Sequence, residues 1–160
     1  MRTAERIRFL VLAAQRAGNL RLSEQLRPLN LTTAQAEAIR VLDDNQPMTL
    51  GGLGGMLVCE TGSNPSRLID RLVATGLIRR ASAPGDRRQV MLTLSPGGEA
   101  AAAAVRDIEN EFYEDLDRAS SGVDLGSVIR FLEAVTAGSA AASALDNRIA
   151  ARTENTGEEK

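Results

Sequence analysis

The chain has no histidine and no tryptophan, one cysteine, and only three Phe and one Tyr among its 160 residues. Without histidine it lacks the usual general acid–base of neutral pH and the commonest metal ligand. With Cys59 as the sole thiol, no zinc site is expected, no intramolecular disulfide can form, and a reducing compartment is implied. No nucleophile–base pair and no phosphate loop can be drawn, so neither enzymatic activity nor a cofactor is expected. With so few aromatics, the core must come from Leu, Ile, Val and Ala within a hydrophobic fraction of 43%, which suits closely packed helices. No apolar run approaches the ~18 residues that span a bilayer, so no membrane partner is expected. The basic N-terminus precedes an uninterrupted apolar run only from Phe9 to Ala14. That is short for a signal-peptide core of about 7–15 residues. It reads as an amphipathic helix of a cytoplasmic protein.

Lysine is nearly absent, Lys160 alone, and the net charge is −2. That sum hides an asymmetry. From Asn64 to Val90 there are six arginines (Arg67, Arg71, Arg79, Arg80, Arg87, Arg88) against Asp70 and Asp86. The segment is +4, which leaves −6 for the rest.

Apolar residues at Ile7, Leu10, Val11, Ala14, Ala17, Leu22 and Leu26 fall at helical spacing, giving a long helix over about 4–26. Gly18-Asn19 allows a kink, and Arg27-Pro28 ends the helix. Thr32 and Gln35 form a capping box for a second helix that buries Ala36, Ile39 and Leu42. Thr49 caps a third helix, LGGLGGMLV, whose four glycines each cost roughly 0.5–1 kcal/mol relative to Ala. They either thin the helix or make room for a close neighbour. After a turn at 59–62, Ser63 or Asn64 caps the helix of SNPSRLIDRLVATG, with Pro65 in its first turn. Leu68, Ile69, Leu72 and Val73 share one face; Ser66, Arg67, Asp70 and Arg71 lie largely on the other. Gly76 stops it. A hairpin follows, about 77–80 with 89–94, turning at Pro84-Gly85-Asp86. Ser95-Pro96 opens a helix to about Ala119, and a last helix covers about 125–150. The polar residues 151–160 are expected to be disordered.

The expected fold is mainly α with a small β-hairpin wing: a helix–turn–helix and wing in the middle, long helices at both ends. The runs TLGGL (49–53), SRLIDRL (66–72), GLIRR (76–80), DRR (86–88) and LTLSPGG (92–98) together resemble the MarR family of dimeric winged-helix transcription regulators. The chain departs from that pattern at Glu60, Gly62 and Pro65, and in its glycine-rich third helix.

The resemblance implies a homodimer on double-stranded DNA with a pseudo-palindromic operator. It assigns 1–28 and 99–150 to dimerisation and 31–98 to DNA binding. The helix matching 64–75 would read the major groove and the wing the minor groove, through Arg88 braced by Asp86, with Arg87 beside it. Repression is the commoner outcome, and a small-molecule effector would bind between the two regions.

The residues support this with alternatives beside them. Arg67 and Arg71, four apart, share a helical face and can bond guanine or clamp phosphate; they can also be a solvated face paired with Asp70 or Glu60, and Arg71 can brace the wing. Ser63, Asn64 and Ser66 lie where helix amides attract phosphate, and one of them caps. Cys59 is either an oxidant sensor or a small hydrophobe. Phe9, Phe112, Tyr113 and Phe131 are core residues or pocket lining, with core favoured. A winged-helix protein-interaction module without DNA is the rival reading.

Overall fold

The computed structural model describes residues 1–59, 65–83 and 86–157, and the side chains of all of these except 86–88 and 155–157. Helix α1 (Thr3–Leu26) leads through one 3-10 turn (Arg27–Leu29) to α2 (Thr33–Asn45). Strand β1 (Met48–Thr49), α3 (Leu50–Gly54) and α4 (Pro65–Ala74) follow. Strands β2 (Ile78–Ala83) and β3 (Asp86–Leu94) precede α5 (Pro96–Ala119), α6 (Leu125–Thr136) and α7 (Ala140–Gly157). The sheet is antiparallel, ordered β1-β3-β2, with Met48 opposite Leu92 and Ile78 opposite Leu94.

The expected punctuation holds where local chemistry dictates it. Thr32 Oγ1 accepts from Gln35 N at 3.2 Å while Thr32 N donates to Gln35 Oε1 at 2.9 Å, a complete capping box. Gly76, at φ +74°, ends α4 in a Schellman turn: Gly76 N donates to Val73 O and Leu77 N to Leu72 O, both at 2.9 Å.

Tertiary contacts account for the departures. Gly18 does not interrupt α1, which is one continuous helix, and a Cβ there would sit 3.3 Å from the ring of Phe112. The glycine admits the neighbouring helix. The glycine-rich third helix is only five residues long. Of its glycines, Gly51 has open space around it, whereas Gly54 faces Pro65 of α4 at 3.3 Å. Thinning is thus the main consequence, with room for a neighbour at one position. Strand β1 has just two residues, and Gln46 Oε1 accepts from Leu94 N at 2.7 Å beside it. The hairpin extends past the expected register, with Ser82 still opposite Val90. The last helix is two helices, broken at Gly138, where φ is +77°. The 151–160 tail is not wholly irregular: α7 continues to Gly157, and Arg152 pairs with Asp44 of α2 at 3.0 Å. Residues 158–160 lie outside the described residues.

The buried core belongs to the middle of the chain. Helix α2 is its axis: every residue from Ala36 to Leu42 is buried. Leu53, Leu57, Leu68, Ile69, Leu72, Ile78, Leu92 and Leu94 surround it, joined by Ala102 and Val105 of α5. A fully buried Leu or Ile contributes about 1.5–3 kcal/mol. The outer helices differ. Phe9 and Leu10 of α1, and Ile129, Phe131 and Val135 of α6, are all exposed.

Candidate nucleic-acid interface

Helix α4 is amphipathic because its apolar residues recur at three and four. Leu68, Ile69 and Leu72 are buried, while Arg67, Asp70 and Arg71 point outward. Neither the Arg67 nor the Arg71 side chain has an ion pair or hydrogen bond with any described residue. Asp70 is therefore not the partner of Arg67 or Arg71, and Glu60, the other candidate partner, lies outside the described residues. Asp70 instead accepts from Arg80 Nη2 of β2 at 2.7 Å. This pair joins helix to wing and leaves both outward arginines uncommitted. Ser66 is half-buried in the first turn. Ser63 and Asn64 lie outside the described residues. Asp86, Arg87 and Arg88 open β3, at the end of the hairpin away from the core, and the roles of their side chains lie outside the described residues.

The C-terminal end of α4 is locked to the start of α5. Ser95 N donates to Leu77 O at 3.0 Å, and Ser95 Oγ donates to Gly76 O at 2.6 Å. The same hydroxyl accepts from Gly98 N at 3.0 Å, capping α5. A Cβ at Gly98 would fall inside the Leu77 carbonyl oxygen, so only glycine fits. This explains why GLI and SPGG occur as a pair in the sequence. With about 1.5 Å of rise per residue, α5 is a strut of 24 residues leading from this junction to α1. At its far end Asp115 pairs with Arg21 of α1 and with Arg118. Those two guanidinium groups, Arg21 first, hold the Asp115 carboxyl below its ordinary range.

Two buried charges on α2 escaped sequence reasoning. Arg40 is 7% exposed and reaches Glu109 of α5 at 3.1 Å, with Asp43 and Asp44 close by. Burial alone would lower its pKa; the carboxylates of Asp44, Glu109 and Asp43 outweigh that and raise it. Glu37, also 7% exposed, accepts from Val58 N at 2.8 Å, Cys59 N at 2.9 Å and Arg148 Nη1 of α7 at 3.0 Å. Asp43 and Asp44 lie three and four residues beyond Arg40, but its pair with Glu109 and all the partners of Glu37 are distant in the chain, so no local signal marks the burial of either residue.

A cavity of about 210 Å³ lies between α1, α2 and α5, roofed by Arg148. Leu22, Ala36, Val105 and Phe112 supply apolar walls; Glu37, Glu109 and Tyr113 add polar ones. Cys59, exposed, sits at its rim. Of the aromatics assigned to the core, Phe9, Tyr113 and Phe131 are in fact exposed by 51%, 51% and 42%. Phe9 and Phe131 sit on α1 and α6, and Tyr113 lies on α5 beyond its core residues Ala102 and Val105, lining the cavity instead. Among the described residues no His/Cys/Asp/Glu group could hold a metal ion, and no helix is long and apolar enough to cross a membrane.

The model of the MarR family matches residues 31–90. The multiple antibiotic resistance protein MarR of Escherichia coli (strain K12) is 34% identical over 79 residues, which are 49% of this chain and 54% of that protein. An uncharacterized HTH-type transcriptional regulator, YsmB of Bacillus subtilis (strain 168), is 33% identical over 95 residues, 58% of this chain and 63% of its own length. The chain thus matches over roughly half to three fifths of these relatives. Among solved structures, the S. aureus MepR–DNA complex superposes with a TM-score of 0.71 at 20% identity, covering 79% of this chain and 93% of that one. That likeness establishes the shared fold.

Proposed function

We propose, from the match of residues 31–90 to the MarR family model, that the chain is a member of that family and a homodimeric, sequence-specific DNA-binding transcription regulator acting as a repressor. Helix α4 enters the major groove and the β2–β3 wing carries Arg87 and Arg88 to the adjacent minor groove. The observation that carries this reading is the division of α4. Its inner face is fixed in the core, and its outer face holds Arg67 and Arg71 uncommitted while Asp70 is occupied by Arg80. An interaction helix would present apolar rather than arginine side chains, which weighs against a protein-only module. The DNA in the MepR complex supports the reading by fold alone.

Self-association is supported by the apolar residues left outside the core on α1 and α6. A second copy would cover them, and two α4 helices would meet successive major grooves about one helical turn apart. The cavity beside Glu37, Arg148 and Phe112 is where a small effector would act. Its mixed apolar and charged walls suit a small amphiphile. Cys59 at its rim would make oxidation a second input.

A gel-shift titration on the protein's own promoter tests this. Arg67→Ala should lower discrimination by about 1–3 kcal/mol at one base position per half-site. Arg88→Ala should weaken binding evenly across sequences. If neither substitution altered binding, the placement of α4 and the wing on DNA would be wrong.

A further inference from the structure

Glu37 is a buried carboxylate in the middle of the most buried helix of the molecule. Its oxygens are used by two separate parts of the chain. Oε1 accepts from Val58 N and from Arg148 Nη1, and Oε2 accepts from Cys59 N. A buried ion is costly unless its lone pairs are satisfied, and here three donors, one of them a guanidinium, satisfy it. Val58 and Cys59 are the last described residues before α4 begins at Pro65. The carboxylate therefore fixes the last described residues ahead of that helix.

Arg148 belongs to α7, and its neighbours seat α7 on the same region. Asn147 Nδ2 donates to Gly55 O at 2.9 Å, and Arg152 Nη2 reaches Asp44 of α2 at 3.0 Å. Beside the buried Ala144, the seat thus holds three directional polar contacts. Charge-assisted hydrogen bonds fix geometry in a way that an apolar contact of sliding side chains does not.

We propose that Glu37 is a positioning residue for DNA reading and that Arg148 acts through it, so that the seating of α7 sets where α4 starts. This rests on α4 being the DNA-reading helix. Neither Glu37 nor Arg148 touches DNA in this account. They hold Val58 and Cys59 against α2 shortly before α4 begins, and α7 lies in the outer helical region while α4 packs on the core. A shift of α7 is thereby conveyed to the reading helix through one carboxylate.

The test uses the full chain as wild type, Arg148→Met, Glu37→Gln and the double variant. Each is measured for promoter binding by fluorescence anisotropy, for thermal unfolding, and for amide hydrogen exchange at Val58 and Cys59. Arg148→Met keeps both amide bonds and removes only the link between Glu37 and α7. It should remain folded, weaken promoter binding about 10-fold, the size of one charge-assisted hydrogen bond, and speed exchange at Val58 and Cys59. Glu37→Gln should lose more, because an amide group presents a donor toward a backbone N–H. The double variant should bind no worse than Glu37→Gln alone. Wild-type affinity and wild-type exchange in Arg148→Met would overturn the proposal, as would losses that simply multiply in the double variant. Should Glu37→Gln fail to fold, Arg148→Met decides alone. If the wild type itself bound no promoter DNA, the reading of α4 would fail, yet exchange at Val58 and Cys59 would still decide the link: unchanged protection in Arg148→Met refutes it and faster exchange supports it.

Discussion

Leu72 and Val135 are both aliphatic residues on amphipathic helices, yet Leu72 is 0% exposed and Val135 62%. The difference separates two regions. In the head, from α2 to the start of α5, the apolar faces of α2, α3, α4 and the sheet close on one another within a single chain. In the outer helices α1 and α6 the same kind of face remains open, with Phe9, Leu10, Ile129 and Phe131 all exposed. A complete core is a property of folding, whereas an open apolar stripe on ordered helices is a property of association. The contrast is what the dimer proposal rests on, and it can be broken at either side.

The head side gives the largest effect. Leu72→Ala should cost about 2–5 kcal/mol in urea unfolding, because α4 cannot collapse onto the cavity left behind. Unchanged stability would mean that α4 is not anchored as described. Gly98→Ala comes next, at about 1–3 kcal/mol, since its methyl would meet the Leu77 carbonyl at the α4–α5 junction.

On the outer helices the direction reverses. Phe131→Asp should change the stability of the head by under about 0.5 kcal/mol, as surface substitutions do, while shifting sedimentation velocity from dimer to monomer. A monomeric wild type would remove the comparison altogether.

Smaller still is Asp70→Asn, which breaks an exposed pair with Arg80. Such pairs are worth about 0.2–1 kcal/mol, and the loss should fade at high salt. The smallest effect is a pH dependence at Asp115. Its native carboxyl titrates below the ordinary 3.8 because of Arg21 and Arg118. Its contribution is therefore present above the unfolded value and lost as pH falls through the native one. Asp115→Asn should remove that small contribution at neutral pH, flatten the acid side of the stability curve, and leave stability unchanged once pH has fallen below the range of the native carboxyl.

The parts of the molecule legible in its sequence are those set by neighbours in the chain. The capping box at Thr32 and Gln35, the Gly76 stop, the Ser95-Pro96 helix start and the inner face of α4 all follow from local spacing, and all are present. What the sequence did not disclose needs a distant partner. Gly18 reads as a weak point until Phe112 is known to lie against it. Met48-Thr49 is too short to show a strand period, and becomes a strand only through Leu92 and Met91. Arg152 sits in a stretch polar enough to read as disorder, and is placed in a helix that reaches Asp44. Glu37 lies between two alanines, AEA, where an acid would ordinarily mark a solvated face. Its role depends on Arg148, in the other end of the chain. At the candidate interface, the outward placement of Arg67 and Arg71 followed from helical spacing, but the Asp70–Arg80 pair crosses the Gly76 turn and has no sequence period to reveal it.

The central claim is that α4 reads base pairs from a symmetric pair of heads. A selection from randomised duplex DNA, run with wild type and with Arg67→Ala, tests it directly. Wild type should enrich a pseudo-palindrome with half-sites about 10–10.5 base pairs apart, and Arg67→Ala should lose preference at one matching position in each half. Enrichment of no sequence by the wild type, or an identical pseudo-palindrome selected by both proteins, would contradict it.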